Sequence, residues 1–256
     1  TVTDVPAVDR CPLVGQKCVR TYSVQEAHGA IFIWFGVTHD EAASELVFPQ
    51  ELADSEHYSH FLCTAAWNCN YQYALENVMD PMHGTYLHSS SHSMAEGDRK
   101  ADMVLALTDT GFLFQKEGQK GVNFDWVEFG ESGAQWMRLS IPYQKRFGPG
   151  GPFWIVGMVV PEDTDHCRVF FWRIRQVDGW QRDMWRFFYR NRLEGLHWDV
   201  LEQDRVILES MAPAARDHEY LYQHDVGLSR LRRLMQKAAK QQMATLAENA
   251  AAPEPR

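Results

Sequence analysis

The chain has 256 residues, 45% of them apolar and 23% charged, with a net charge of −9. That size allows one large domain, or one domain with a smaller companion, and the apolar content excludes a disordered polymer. The acidic balance excludes nucleic acid and an anionic membrane as main partners, since both need a basic footprint. The longest apolar run, Phe153 to Val160, is too short to span a bilayer. Five scattered cysteines, an odd number, argue against a disulfide framework and for a reducing cytoplasm. Cys11 and Cys18 have no second pair with which to form a metal knuckle.

In chain order, Thr21 to Phe35 contains an extended β-rich run, Ala30 to Phe35, closed by Gly36. His39 to Tyr58 is acidic and turn-rich and reads as a connector. A strand is expected from Phe61 to Asn70, and helical character from about Gln72. Beyond His92 and the polar loop Glu96 to Lys100, strands are expected at Met103–Thr108, Gly111–Lys116, Val122–Phe129, Gln135–Tyr143, Phe153–Val160 and Cys167–Arg175. Their close spacing implies antiparallel pairing, because parallel crossovers need more residues. Helical patterns follow from Gln181 to Met211 and from Val226 to Leu246, the latter with Leu228, Leu231, Leu234, Met235 and Ala238 on one face. Residues 247–256 read as a frayed tail. The expected fold class is α+β: a curved antiparallel sheet with helices packed on one side.

The stretch Glu76 to His88 carries the chemistry. It holds His83 and His88 five residues apart, with Asp80 three residues before the first. Histidine is the commonest metal ligand, and a nearby carboxylate can fix which ring nitrogen is free. On a helix, Asn77, Asp80 and His83 share a face. His88 does not, unless the helix is distorted or ended near Gly84. A third group comes from the later helix. There Val200, Leu201, Ile207, Leu208 and Met211 form the apolar face, and Asp204 falls in its middle. A carboxylate on such a stripe must be paired, protonated or metal-bound. The pairing alternative would use Arg186 or Arg192. Two histidines and a carboxylate make the facial triad of non-haem Fe(II) oxygenases. Zinc hydrolases use a similar set, but with His-Glu-x-x-His on one helix, which this chain lacks.

These residues resemble the Rieske non-haem iron ring-hydroxylating oxygenases, in their large (α) subunit. The family pattern Glu-Asn-x-x-Asp-x-x-His-x-x-x-x-His is met at every fixed position by Glu76, Asn77, Asp80, His83 and His88. Gln203-Asp204 fits the family's later Gln-Asp segment, and the likeness extends through Val159 to Asp163 to the C-terminal helix. The 116-residue spacing from His88 to Asp204 resembles the compact, α-only branch of phthalate-type dioxygenases and aryl-ether demethylases. The resemblance implies a helix-grip sheet and a mononuclear Fe(II) on His83, His88 and Asp204. It implies Asp80 as the electron bridge from a neighbouring subunit, and Asn77 near the iron as a site hydrogen bond or a backbone cap. It also implies an aromatic substrate, dihydroxylated or O-demethylated with O2, a ferredoxin or reductase donor, and a homotrimer. An aromatic acid would want an arginine, for which Arg138 and Arg168 are candidates. The strand residues Phe112, Phe124, Trp126, Met137, Trp154 and Phe170 are candidates for the cavity wall, with the hydrophobic core as the favoured alternative for each.

The family's [2Fe–2S] ligands, Cys-x-His and Cys-x-x-His, have no counterpart here, since no cysteine has a histidine two or three residues later. By the same resemblance, residues 1–40 read as a remnant of the cluster domain and 41–246 as a mononuclear iron domain, with the cluster belonging to a longer protein or, as the alternative, absent from this homologue. A metal-free helix-grip binding module and a zinc hydrolase stand as the alternatives.

Overall fold

The computed structural model describes residues 1–16, 21–36, 42–91, 94, 96–212 and 214–251, the last three by backbone only. His39 and His92, named above, lie outside the described residues, as does Cys18. Two compact units are present: Thr1–Glu45 together with the chain from Lys237, and Leu46–Gln236. The first holds an antiparallel hairpin of β1 (Ser23–Ala27) and β2 (Ala30–Trp34). His28 and Gly29 form its turn with φ of 52° and 81°. Positive φ at both central positions matches the right-handed twist of the paired strands.

The second unit is built on a seven-stranded antiparallel sheet. Its strands are β3 (Tyr58–Trp67), β4 (Met103–Leu107), β5 (Gly111–Lys116), β6 (Trp126–Ser132), β7 (Ala134–Ile141), β8 (Phe153–Pro161) and β9 (Cys167–Gln176). The order is β3-β9-β8-β7-β6-β5-β4, so the first strand of the unit closes against the last. A short helix α1 (Gln50–Ala53) precedes β3. Between β3 and β4 the chain leaves the sheet to form α2 (Tyr71–Val78) and α3 (His83–Leu87). After β9 come α4 (Gly179–Phe188), a π-helical turn (Tyr189–Leu193) and α5 (Glu194–Glu209). The last helix, α6 (Val226–Ala251), runs past the expected end at Leu246. The α+β class and the sheet with helices on one side are as expected.

Element boundaries moved for local reasons. The strand expected at Val122–Phe129 begins at Trp126 because the Asp125 carboxylate accepts from the backbone N–H of Val122 and Asn123, which locks Val122–Asp125 into a turn. The strand expected to reach Tyr143 stops at Ile141, before Pro142, which has no N–H to donate. The strand expected at Phe61–Asn70 starts at Tyr58, where pairing with Gln176 continues the register, and ends at Trp67. Asn70 instead caps α2, its side chain accepting from Gln72 N.

The core lies between the sheet and the helices. Phe112, Phe114, Val127, Phe129, Met137, Leu139, Val169 and Phe171 project from the sheet, and Leu75, Met79, Trp185, Tyr189 and Leu208 are the helical side. α2 packs on β8 and β9 and against α5, which brings the Glu76–His88 stretch over the sheet.

Candidate metal centre and cavity

The helix carrying the histidine stretch is broken once. α2 ends at Val78, and Asp80 accepts from Met82 N through Oδ1 at 2.8 Å, shaping the turn around Pro81. α3 then starts at His83, and His88 sits just past its end. The break thus precedes His83, whereas the sequence suggested Gly84. Asn77 and His83 therefore belong to different helices, not to one face. Gly84 has a packing role, because a Cβ there would meet Met94 Cε at 3.2 Å and Phe124 Cβ at 3.4 Å.

The two rings converge on Asp204. His83 Nε2 lies 3.5 Å and His88 Nε2 3.2 Å from Asp204 Oδ1. All three ligand atoms fall within 4.8 Å of one another, the one such group among the described residues. The opposite ring nitrogens are engaged: His83 Nδ1 meets the Asp80 backbone oxygen at 2.5 Å, and His88 Nδ1 meets Gln203 Oε1 at 2.9 Å. Both partners are acceptors, so each Nδ1 carries a proton and each neutral ring turns an Nε2 lone pair toward the carboxylate. Asp204 is buried, and Oδ1 has no hydrogen-bond donor.

Three acceptors thus face one another in a space from which water is largely excluded, an arrangement that a cation resolves. Ligand atoms about 2.1 Å from an ion and at right angles stand about 3 Å apart, close to the separations seen. The donor set fits a divalent transition metal. With no cation present a proton on His88 Nε2 is the alternative way to relieve these groups: burial opposes charge there, but the Asp204 carboxylate and Gln203 outweigh it and hold the pKa above its usual value.

Other expected positions are placed as follows. Asp80 contacts His83 through its backbone oxygen, not its carboxylate. Asn77 lines the cavity beside the triad, and its Nδ2 is buried without a partner. Arg186 donates to Ser59 and to the His60 carbonyl, and Arg192 is exposed, so neither pairs with Asp204. Ile207 and Met211 are exposed; the inward face of α5 runs through His197, Val200, Leu201, Asp204 and Leu208.

An apolar cavity opens beside the triad, lined chiefly by Phe124, Leu139, Ile141, Phe153, Ile155 and Phe171. Of the six residues weighed as core or wall, Phe124 lines the cavity, and Phe112 and Met137 belong to the core. Arg138 and Arg168 do not line this cavity. Strand alternation turns Arg138 to the other face of β7 from Leu139 and Ile141, where it pairs with Glu51 and Glu128 between Trp126 and Trp154. Arg168 pairs with Glu162 at the exposed end of β9. The guanidinium in the cavity wall is Arg173, and its neighbour there is His197. The signal for both was present: Arg173 continues the inward alternation of Val169 and Phe171, and His197 lies two helical turns before Asp204.

The fold is that of the catalytic domains of Rieske-type oxygenases. A family model described as the vanillate O-demethylase oxygenase C-terminal domain matches residues 67–241, and the chain belongs to that family. A vanillate O-demethylase oxygenase subunit from Pseudomonas sp. (strain HR199 / DSM 7063) is 32% identical over 84 residues, 33% of this chain. The match spans 23% of that relative's own length. Among solved structures, Pseudomonas putida CBB5 NdmA with caffeine superposes with a TM-score of 0.66 at 16% identity, over 93% of this chain and 68% of that one. The terminal oxygenase of carbazole 1,9a-dioxygenase from Novosphingobium sp. KA1 gives 0.65 at 18%, over 91% and 70%. Dicamba monooxygenase bound to dicamba gives 0.61 at 17%, over 88% and 70%. At these identities the structures speak for the fold. Among the described residues no helix is long and apolar enough to cross a membrane.

Proposed function

We propose that this chain is the oxygen-activating domain of an aromatic oxygenase component, with a mononuclear Fe(II) held by His83, His88 and Asp204. The observation that carries the reading is the buried Asp204 oxygen, bare of donors and faced by two Nε2 lone pairs. A ferrous ion bound there supplies activation of O2 for hydroxylation or O-demethylation of an aromatic ring. The chain's own residues do the rest. Asp80 O and Gln203 hold the imidazoles in the metal-binding tautomer. Phe124, Phe153 and Phe171 offer an apolar wall against which an aromatic ring can pack. Asn77 presents an unspent amide N–H at the same place.

Electrons would come from a ferredoxin or reductase by way of a [2Fe–2S] cluster outside this chain, with Asp80 as the bridge. That assignment, like a trimeric assembly, rests on family resemblance. The half-buried Asp80 carboxylate at the turn before His83 is compatible with it. Metal analysis of anaerobically prepared protein tests the central reading. The expected result is about one iron per chain, lost in Asp204→Ala. Zinc in its place would favour hydrolytic chemistry, and no metal at all would leave a ligand-binding module.

A further inference from the structure

We infer that Cys69 and Cys167 form a peroxide-reactive dithiol, in which Cys69 is oxidised first and Cys167 then closes a disulfide that ties the entry of α2 to β9. The pair lies outside the triad and outside the cavity beside it.

Strand register places the two thiols together. Cys167 opens β9 and stands opposite Trp67, the last residue of β3. Cys69 follows Trp67 by two residues, just beyond the strand end, and so falls diagonal to Cys167 on the same face. Both are free thiols, 6% and 0% exposed, and their side chains are hydrogen-bonded to each other. Cys63, also buried, meets no second thiol among the described residues. A metal does not account for the pair, because the triad is the one ligand group among the described residues.

Access and asymmetry separate this pair from inert core thiols. Cys69 opens on a polar crevice lined by Asn70, Thr164, Asp165, Glu209 and Arg216, which a small oxidant can enter. The bond from Cys167 holds the Cys69 thiol below its ordinary range, against burial and the Glu209 carboxylate. The same bond, with burial, pushes Cys167 up. α2 begins just past Cys69, at the Asn70 cap, and the N-terminal end of a helix favours a thiolate. Cys69 is therefore the attacking group and Cys167 the resolving one. The Cys69 thiolate attacks one oxygen of hydrogen peroxide; the O–O bond breaks, the sulfur becomes a sulfenic acid, and the other oxygen leaves as hydroxide and takes a proton to become water. The Cys167 sulfur then attacks the sulfenic sulfur; the S–S bond forms, the S–O bond breaks, and the Cys167 proton leaves with the hydroxyl as a second water. Two thiols and one peroxide thus give one disulfide and two waters. The closed loop contains α2, α3 and both histidines, which couples the state of the thiols to the histidine stretch.

The test is exposure of the native whole chain to hydrogen peroxide, then alkylation with iodoacetamide in urea and mass mapping without reduction. Wild type should yield peptides joined through Cys69 and Cys167 and lighter by two hydrogens, with Cys63 still alkylated, and dithiothreitol should restore both thiols. The Cys69 thiol should disappear at least about tenfold faster than that of Cys63. Cys167→Ser should form no bridge and leave Cys69 as a sulfenic acid that dimedone traps. Cys69→Ser should keep Cys167 a free thiol at the peroxide dose that bridges wild type. Cys69 and Cys167 both recovered as alkylated thiols from treated wild type, Cys63 oxidised as fast as Cys69, or Cys167 oxidised as readily in Cys69→Ser as in wild type would each overturn the assignment.

Discussion

Glu76→Gln should destabilise the second unit far more than a surface change would. Glu76 is the first fixed residue of the histidine-bearing pattern, yet it does not touch the triad. It lies buried on α2 and receives three charge-assisted hydrogen bonds. Arg232 of α6 donates through Nε and Nη2 at 2.7 Å each, and Arg216 through Nη2 at 2.8 Å. Breaking a fully buried pair by removing one partner costs about 3–5 kcal/mol. The arginine side chains are 24% and 34% open and keep Glu219 and Gln72 as second partners, which lowers the expectation to about 2–3 kcal/mol. For a domain of this size that is a fall in Tm of roughly 5–10 °C. Urea unfolding of Glu76→Gln, Arg232→Met and the double variant measures it. The double variant should lose less than the sum of the single ones by about 1–2 kcal/mol. A loss under about 0.5 kcal/mol, or an additive cycle, would show that this clamp does not hold α2 in place.

The remaining predictions concern the site and the thiols. Asp204→Ala should abolish iron retention by metal analysis, because the two Nε2 donors that remain no longer have an anionic partner; normal iron content would remove Asp204 from the ligand set. Asp80→Asn, made in a full-length oxygenase component, should keep iron bound and block donor-driven turnover; substrate oxidation at the wild-type rate would discard the bridging role. Burial pushes the Cys63 thiol up to about 11. At pH 8 about one in a thousand such thiols is ionised, so an alkylating reagent should modify Cys11 well before Cys63 in the native protein. Mass mapping of the adducts checks this, with Cys63 labelling rising as the pH approaches 11 or as the fold is opened with urea.

Local pattern alone carried much of the fold. Runs of aromatic and β-branched residues marked all seven strands of the large sheet, and their spacing implied antiparallel pairing. His83, His88 and Asp204 were legible for different reasons, the first two as a local motif and the third as a carboxylate misplaced on an apolar stripe. Boundaries were less legible, because a single side chain such as Asp125 can stop a strand that propensity would continue.

What the sequence determined by itself was the kind of elements and the ligand types, since both follow from residue chemistry and short-range periodicity. Only the tertiary structure decided which side chains meet. Strand alternation flips a residue to the opposite face with a one-residue shift, which is why Phe171 and Ile155 line the cavity while Phe170 and Trp154 do not. The same alternation turned Arg138 away and brought in Arg173. The closure of β3 on β9, together with α5 packed on α2, carried Asp204 to two imidazoles more than a hundred residues earlier in the chain. Such long-range convergence depends on topology and packing, which no local pattern of residues specifies.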